Sequence, residues 1–142
     1  MVNDDSIISS DKSLENIIID SDSASFHKDV IEASKNIPVL VDFWADWCAP
    51  CKQLTPILES AVKYYKGEIR LVKIDSEKTQ ALSKQLQIQS LPTVYAFYEG
   101  QPIDGFSGAM PENEVKDFIK KVIAASGGGK QEEINKLISE AE

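Results

Sequence analysis

The hydrophobic positions of this chain switch between a period of two and a period near 3.6. Leu14 to Ile19 is a short apolar segment, β-branched at Ile17, Ile18 and Ile19, which predicts a first strand of edge type. Phe26, Val30 and Ile31 recur at helical spacing and predict a helix over Ala24 to Ser34, capped by Ser21 or Ser23 and ended by Asn36 and Pro38. Val39 to Ala45 is nearly continuous apolar chain with Asp42 inside it, the pattern of a central strand covered on both faces. The helical period returns from Cys48 to Lys66 in Leu54, Ile57, Leu58, Ala61, Val62 and Tyr65. Pro50 is tolerated in the first turn of that helix, Pro56 is predicted to kink its interior, and Gly67 stops it.

Ile69 to Ile74 predicts a strand, Glu77 to Leu86 a short helix, and Thr93 to Tyr98 a strand entered through Leu91-Pro92. Glu99-Gly100-Gln101-Pro102 reads as a turn, so Ile103 to Ser107 is expected to return antiparallel as a hairpin. A last helix runs from Pro111, a residue suited to a first helical turn, to Ala125, with Val115, Phe118, Ile119 and Val122 facing inward. The order βαβαβαββα predicts an α/β fold, a mixed sheet with helices on both faces. Residues 1–13 have no period and read as an acidic, flexible extension, leaving a domain over 14–126. Residues 127–142 read as a glycine linker followed by an amphipathic helical tail with Ile134, Leu137, Ile138 and Ala141 on one face.

At 142 residues and 42% hydrophobic, the chain has material for one domain and its core. The net charge of −8 sits mostly at the ends: residues 1–22 hold six acids and one base, and residues 127–142 hold four acids and two bases. Such a balance argues against nucleic acid as a partner, and the charge together with the lack of an obvious extra apolar face favours a monomer. The N-terminus has no basic region followed by an apolar stretch of signal-peptide length. No segment has enough apolar residues to span a bilayer. The expected location is therefore the cytoplasm, away from membranes, where a cysteine pair is more often catalytic or metal-bound than a permanent staple.

The only two cysteines, Cys48 and Cys51, stand three residues apart in Trp44-Ala45-Asp46-Trp47-Cys48-Ala49-Pro50-Cys51-Lys52, just past the central strand. In the first turn of a helix such a pair stands side by side, close to the separation a disulfide tolerates. Disulfide exchange needs a stabilised thiolate and a second thiol to resolve the mixed disulfide. Cys48, at the predicted helix N-terminus, gains from the backbone N–H groups and the helix dipole. Cys51 lies further in and is expected to be less exposed, so Cys48 attacks and Cys51 resolves. The alternatives are a structural disulfide, a zinc half-site and a coincidental spacing. A closed zinc site wants about four Cys or His ligands, and His27 is the sole histidine, so metal binding is disfavoured. A c-type haem attachment needs His after the second cysteine, where this chain has Lys52.

On strand alternation Asp42 shares a face with Leu40 and Trp44, where an acid is costly unless paired or functional. Burial would raise its pKa and suit it to take the proton from Cys51; the alternative is an acid at a strand end facing solvent. Lys73 is either a buried partner of Asp42 or an ordinary exposed lysine. Trp44 reads as core packing, and Trp47 as an apolar rim that a substrate polypeptide could touch. Pro92 opens a strand, in either peptide isomer. Gly108 either punctuates a turn or permits the close approach of another backbone.

Val41 to Lys52 closely resembles the active-site segment of the thioredoxin family, with Ala49 where glycine is usual. The resemblance extends through Pro56-Ile57-Leu58, Val72-Lys73-Ile74-Asp75, Leu91-Pro92-Thr93, Tyr98-Glu99-Gly100 and Ser107-Gly108-Ala109. It implies a thioredoxin fold, with a five-stranded mixed sheet flanked by four helices, a buried Asp42 and a cis peptide before Pro92. It also implies a substrate groove formed by Trp47, Leu91, Pro92, Gly108 and Ala109. The implied activity is reduction of protein disulfides through Cys48 and Cys51, with Ala49 and Pro50 tuning the potential. No cofactor would be bound, and a thioredoxin reductase would supply electrons from NADPH. A narrower resemblance, in Gln53 to Ser60 and Gly100 to Gly108, is to the thioredoxin domain of bacterial proteins that carry a tetratricopeptide-like region. It implies an alternative function, a module that binds unfolded polypeptide and docks on a chaperone.

Overall fold

The computed structural model describes residues 17–127. The acidic extension, the start of the first strand at Leu14 to Asn16, and the linker and tail from Gly128 onward lie outside the described residues. Five strands, β1 (Ile18–Ser21), β2 (Val39–Trp44), β3 (Arg70–Asp75), β4 (Thr93–Tyr98) and β5 (Gln101–Ser107), form one sheet in the order β1-β3-β2-β4-β5. β1, β3 and β2 run parallel, whereas β4 pairs antiparallel with both β2 and β5. The helices are α1, which joins a π-helical turn His27–Glu32 to a 3-10 turn Ala33–Lys35, then α2 (Ala49–Tyr64), α3 (Gln80–Gln85) and α4 (Glu112–Ala125). This is the thioredoxin fold that the resemblance implies.

Alternation along β2 organises the interior. Val39, Val41 and Phe43 pack with Phe26 and Val30 of the α1 segment, with Val72, Ile74 and Phe97, and with Leu82 of α3 and the following Leu86. Leu40, two positions before Asp42, packs on the other face with Leu54, Leu58, Ala61 and Val62 of α2 and Val115, Ile119, Val122 and Ile123 of α4. Full burial of a side chain such as Leu58 contributes about 1.5–3 kcal/mol, so both faces of β2 drive folding and hold it mid-sheet.

Four local expectations are corrected. Ser21 does not cap α1: its hydroxyl donates to Asp29 at 2.7 Å, and Asp22 instead accepts from the Ser25 backbone N–H at 2.8 Å. The helix accordingly begins at His27, and Phe26 at its N-cap supplies no side-chain acceptor. Gln101 and Pro102 belong to β5 and not to the turn. Glu99 and Gly100 alone reverse the chain, with φ of 54° and 82°, the mirror-image turn whose twist matches a hairpin. Their backbone N–H groups donate to the backbone oxygen and the hydroxyl of Ser34. Pro102 is accommodated because β5 is an edge strand, where a missing N–H costs no ladder bond. Finally, Pro111 is the N-cap of α4 and stands just before its first turn.

Candidate active site

The C-terminal end of β2 delivers the chain into α2, and the two cysteines occupy that junction. Cys48 is the N-cap of α2, where its sulfur accepts from the Cys51 backbone N–H at 3.2 Å. The same position would let a Cys48 thiolate satisfy one of the unpaired N–H groups that every helix start leaves. Cys48 and Cys51 are joined as a disulfide with their Cα atoms 5.3 Å apart. Ala49 and Pro50 between them are exposed, and Pro50 falls in the first turn where its missing N–H has no cost.

The expected contrast in exposure is absent from this oxidised form: Cys48 is 3% exposed and Cys51 2%. Both sulfur-bearing residues pack with Ala45, and Trp44 and Leu91 close over them. Cys51 also lines a cleft of about 320 Å³ with Trp44, Thr55, Pro56 and Lys73. Trp44 is thus half-buried packing beside the pair. Trp47 is 68% exposed, and its indole N–H donates to Glu77 across the β3–α3 connection.

Leu91 and Pro92 are joined by a cis peptide at the start of β4. The Pro92 carbonyl accepts from the Gly108 N–H at 2.9 Å, tying the two segments expected to form a groove. Gly108 has φ of 86°, and a Cβ built there meets nothing within 4 Å. The turn, and no backbone packed on it, accounts for the glycine. Ala109 follows it and is exposed.

Asp42 is fully buried in the middle of β2, on the face turned to α2. The Thr55 hydroxyl donates to its Oδ2 at 2.7 Å, and Oδ1 meets no donor among the described residues. Burial pushes the Asp42 carboxyl up from 3.8 to about 6, against the Thr55 bond and the Lys73 charge that favour its anion, with Glu59 adding to the rise. Lys73 is the register neighbour of Asp42 in β3 but is not its bonded partner. Its ammonium donates to Glu59 at 2.8 Å and approaches Asp20 at 3.9 Å. Burial disfavours the Lys73 cation, but the hydrogen bond and charge of Glu59, with Asp20 and Asp42, outweigh it and push the pKa up.

Thr55, Glu59 and Glu77 were not singled out by sequence. Thr55 and Glu59 lie four and eight residues beyond Cys51, so one stripe of α2 carries them all. A polar stripe beside the apolar Leu54-Leu58 face was the available signal. Nothing in the sequence marks Glu77 as a partner of Trp47, since the contact spans 30 residues. Among the described residues no group of three or more His, Cys, Asp or Glu side chains is placed to hold a metal, and no helix is long and apolar enough to cross a membrane.

Comparison with known proteins agrees with this geometry. The thioredoxin family model matches residues 17–121. The chain belongs to the thioredoxin family. It is 39% identical over 100 residues to the thioredoxin of Rickettsia felis, covering 70% of this chain and 93% of that protein. It is 36% identical over 98 residues to thioredoxin 1 of Synechococcus elongatus, covering 69% and 90%. It is 41% identical over 109 residues to the probable thioredoxin-2 of Caenorhabditis elegans, covering 76% and 74%. With the family's fold and a Cys48–Cys51 disulfide at the head of α2, this member of the thioredoxin family is a dithiol–disulfide oxidoreductase.

Proposed function

We propose that this chain acts mainly as a reductant of disulfides in cytoplasmic proteins, working as a monomer without a bound cofactor. The observation that carries the reading is Cys48 at the N-cap of α2, bonded to Cys51 and backed by a buried acid on the neighbouring strand. In the reduced pair the Cys48 thiolate attacks a substrate sulfur, forming a mixed disulfide and releasing the other substrate sulfur as a thiolate. Asp42 takes the proton from the Cys51 thiol, and the Cys51 sulfur attacks Cys48 Sγ. The Cys48–substrate bond breaks, the second substrate thiolate leaves, and the Cys48–Cys51 bond remains. Two electrons have passed to the substrate. A thioredoxin reductase drawing on NADPH returns them, as in the family.

Trp47, Leu91, Pro92, Gly108 and Ala109 form the substrate groove. The Gly108 to Pro92 bond supports this reading by fixing two of its walls. Ala49, in place of the family's usual glycine, and Pro50 adjust the potential and the choice of partners. A chaperone partner and a tetratricopeptide-linked role are carried by sequence resemblance alone.

The test is NADPH consumption with a bacterial thioredoxin reductase and insulin. The chain should turn over, Cys48→Ser should be inactive, and Cys51→Ser should accumulate the mixed disulfide, seen as a covalent adduct under non-reducing conditions. An adduct that forms through Cys51 in the Cys48→Ser variant would reverse the two roles. No turnover by the unaltered chain would overturn the general-reductase reading.

A further inference from the structure

We propose that Thr55 is a positioning residue for the resolving step, its single hydroxyl proton committed to Asp42 Oδ2 so that Oδ1 is the oxygen that receives the proton from Cys51. The proposal rests on the reading of Asp42 as the proton acceptor. It adds the group that orients that carboxylate.

Three observations carry it. First, a threonine within a helix usually turns its hydroxyl back to the carbonyl four residues earlier, which here is that of Cys51. Thr55 instead bonds Asp42 at 2.7 Å across the helix–sheet boundary. A hydroxyl has one proton to give, so this choice leaves the Cys51 carbonyl to the helix. Second, Asp42 is fully buried with Oδ1 lacking a donor among the described residues, so its two oxygens are chemically unequal before any proton arrives. Third, Thr55 and Cys51 line the same cleft one helical turn apart, so the orienting hydroxyl and the resolving cysteine share one face of α2.

The surrounding charges do not replace it. Lys73 on β3 is engaged by Glu59 at 2.8 Å and lies 3.9 Å from Asp20 of β1. Asp46 and Lys52 stand at the cleft lining, and β4 presents Val94 as the register neighbour of Asp42. Thr55 is therefore the hydrogen-bond donor to this carboxylate, and a donor to a charged group favours the charged form.

The test uses the full chain with Thr55→Val, which keeps the shape and removes the donor, and Thr55→Ser, which restores it; Thr55→Ala is a second donor-free variant. Two midpoints are read: titration of the Asp42 carboxyl carbon by NMR, and the pH profile of the second release of thionitrobenzoate when reduced protein reacts with dithiobis(nitrobenzoate). That second release reports Cys51 displacing the product from Cys48. Thr55→Val is expected to move both midpoints upward by about one pH unit, with Thr55→Ser at the unaltered values. An unmoved carboxyl midpoint in the donor-free variants overturns the role of Thr55 and leaves Asp42 as the base. A carboxyl midpoint that moves while the kinetic profile stays fixed overturns the Asp42 reading, and this proposal with it.

Discussion

Asp42 is kept buried at a cost to folding. Its carboxyl binds a proton more tightly in the folded chain, at about 6, than at its ordinary value of 3.8. Below the lower value both states are protonated and no penalty arises. As pH rises through the folded value the unfolded chain ionises more easily, and stability is lost. The difference corresponds to about 3 kcal/mol once both states are ionised. Asp42→Asn keeps the shape and an acceptor for Thr55 while removing the charge. In urea denaturation it should be more stable than the unaltered chain by about that amount at pH 8, with the gap closing toward pH 4. An equal gap at both pH values would assign the effect to packing. The same variant should slow the resolving step, so stability and activity are expected to move in opposite directions at this residue.

Elements here are held by contacts whose tightness differs along the sheet. Gly105 in β5 lies opposite Tyr95 in β4, and a Cβ built on it would come 2.8 Å from Tyr95 Cδ1 and 2.9 Å from the Val94 carbonyl. The ring cannot easily yield, since its hydroxyl donates to the Leu86 carbonyl at 3.0 Å and it stacks edge-on with Phe43 and Phe97. Gly105→Ala is expected to cost about 1–3 kcal/mol, checked by the denaturation midpoint. None of this could be read from the hairpin's sequence, where Gly105 looks like one more turn residue. By contrast β4 was legible to the residue, because Pro92 and the Glu99-Gly100 turn bracket a β-branched and aromatic run. The α1 segment was legible as a helix through Phe26 and Val30, but its caps were not. The Ser21 hydroxyl is taken by Asp29, and Asp22 accepts from the Ser25 N–H where a serine cap was expected. At the site, Cys48, Cys51 and Asp42 stood out by residue type and spacing. Thr55 and Glu59 did not, because their partners come from other elements.

For the molecule as a whole, two apolar layers on opposite faces of one sheet share β2. The helix α2 that packs one of these layers also carries Cys51, Thr55 and Glu59, so core packing and site geometry are coupled through a single helix. Leu58→Ala, which leaves a cavity in that layer, should lower stability by about 2–5 kcal/mol in the same denaturation assay. Among the described residues the margins of the sheet are β1 and β5. On β5, Pro102 lacks an N–H and Asp104 carries a charge. The pairing slips between Ala96 and Phe97, so that Phe97 faces Pro102 and Ile103 has no opposite number. Each of these spoils the template on which a foreign strand could assemble. For a dithiol–disulfide oxidoreductase, whose chemistry brings it against other polypeptides, an edge of this kind disfavours strand pairing with them.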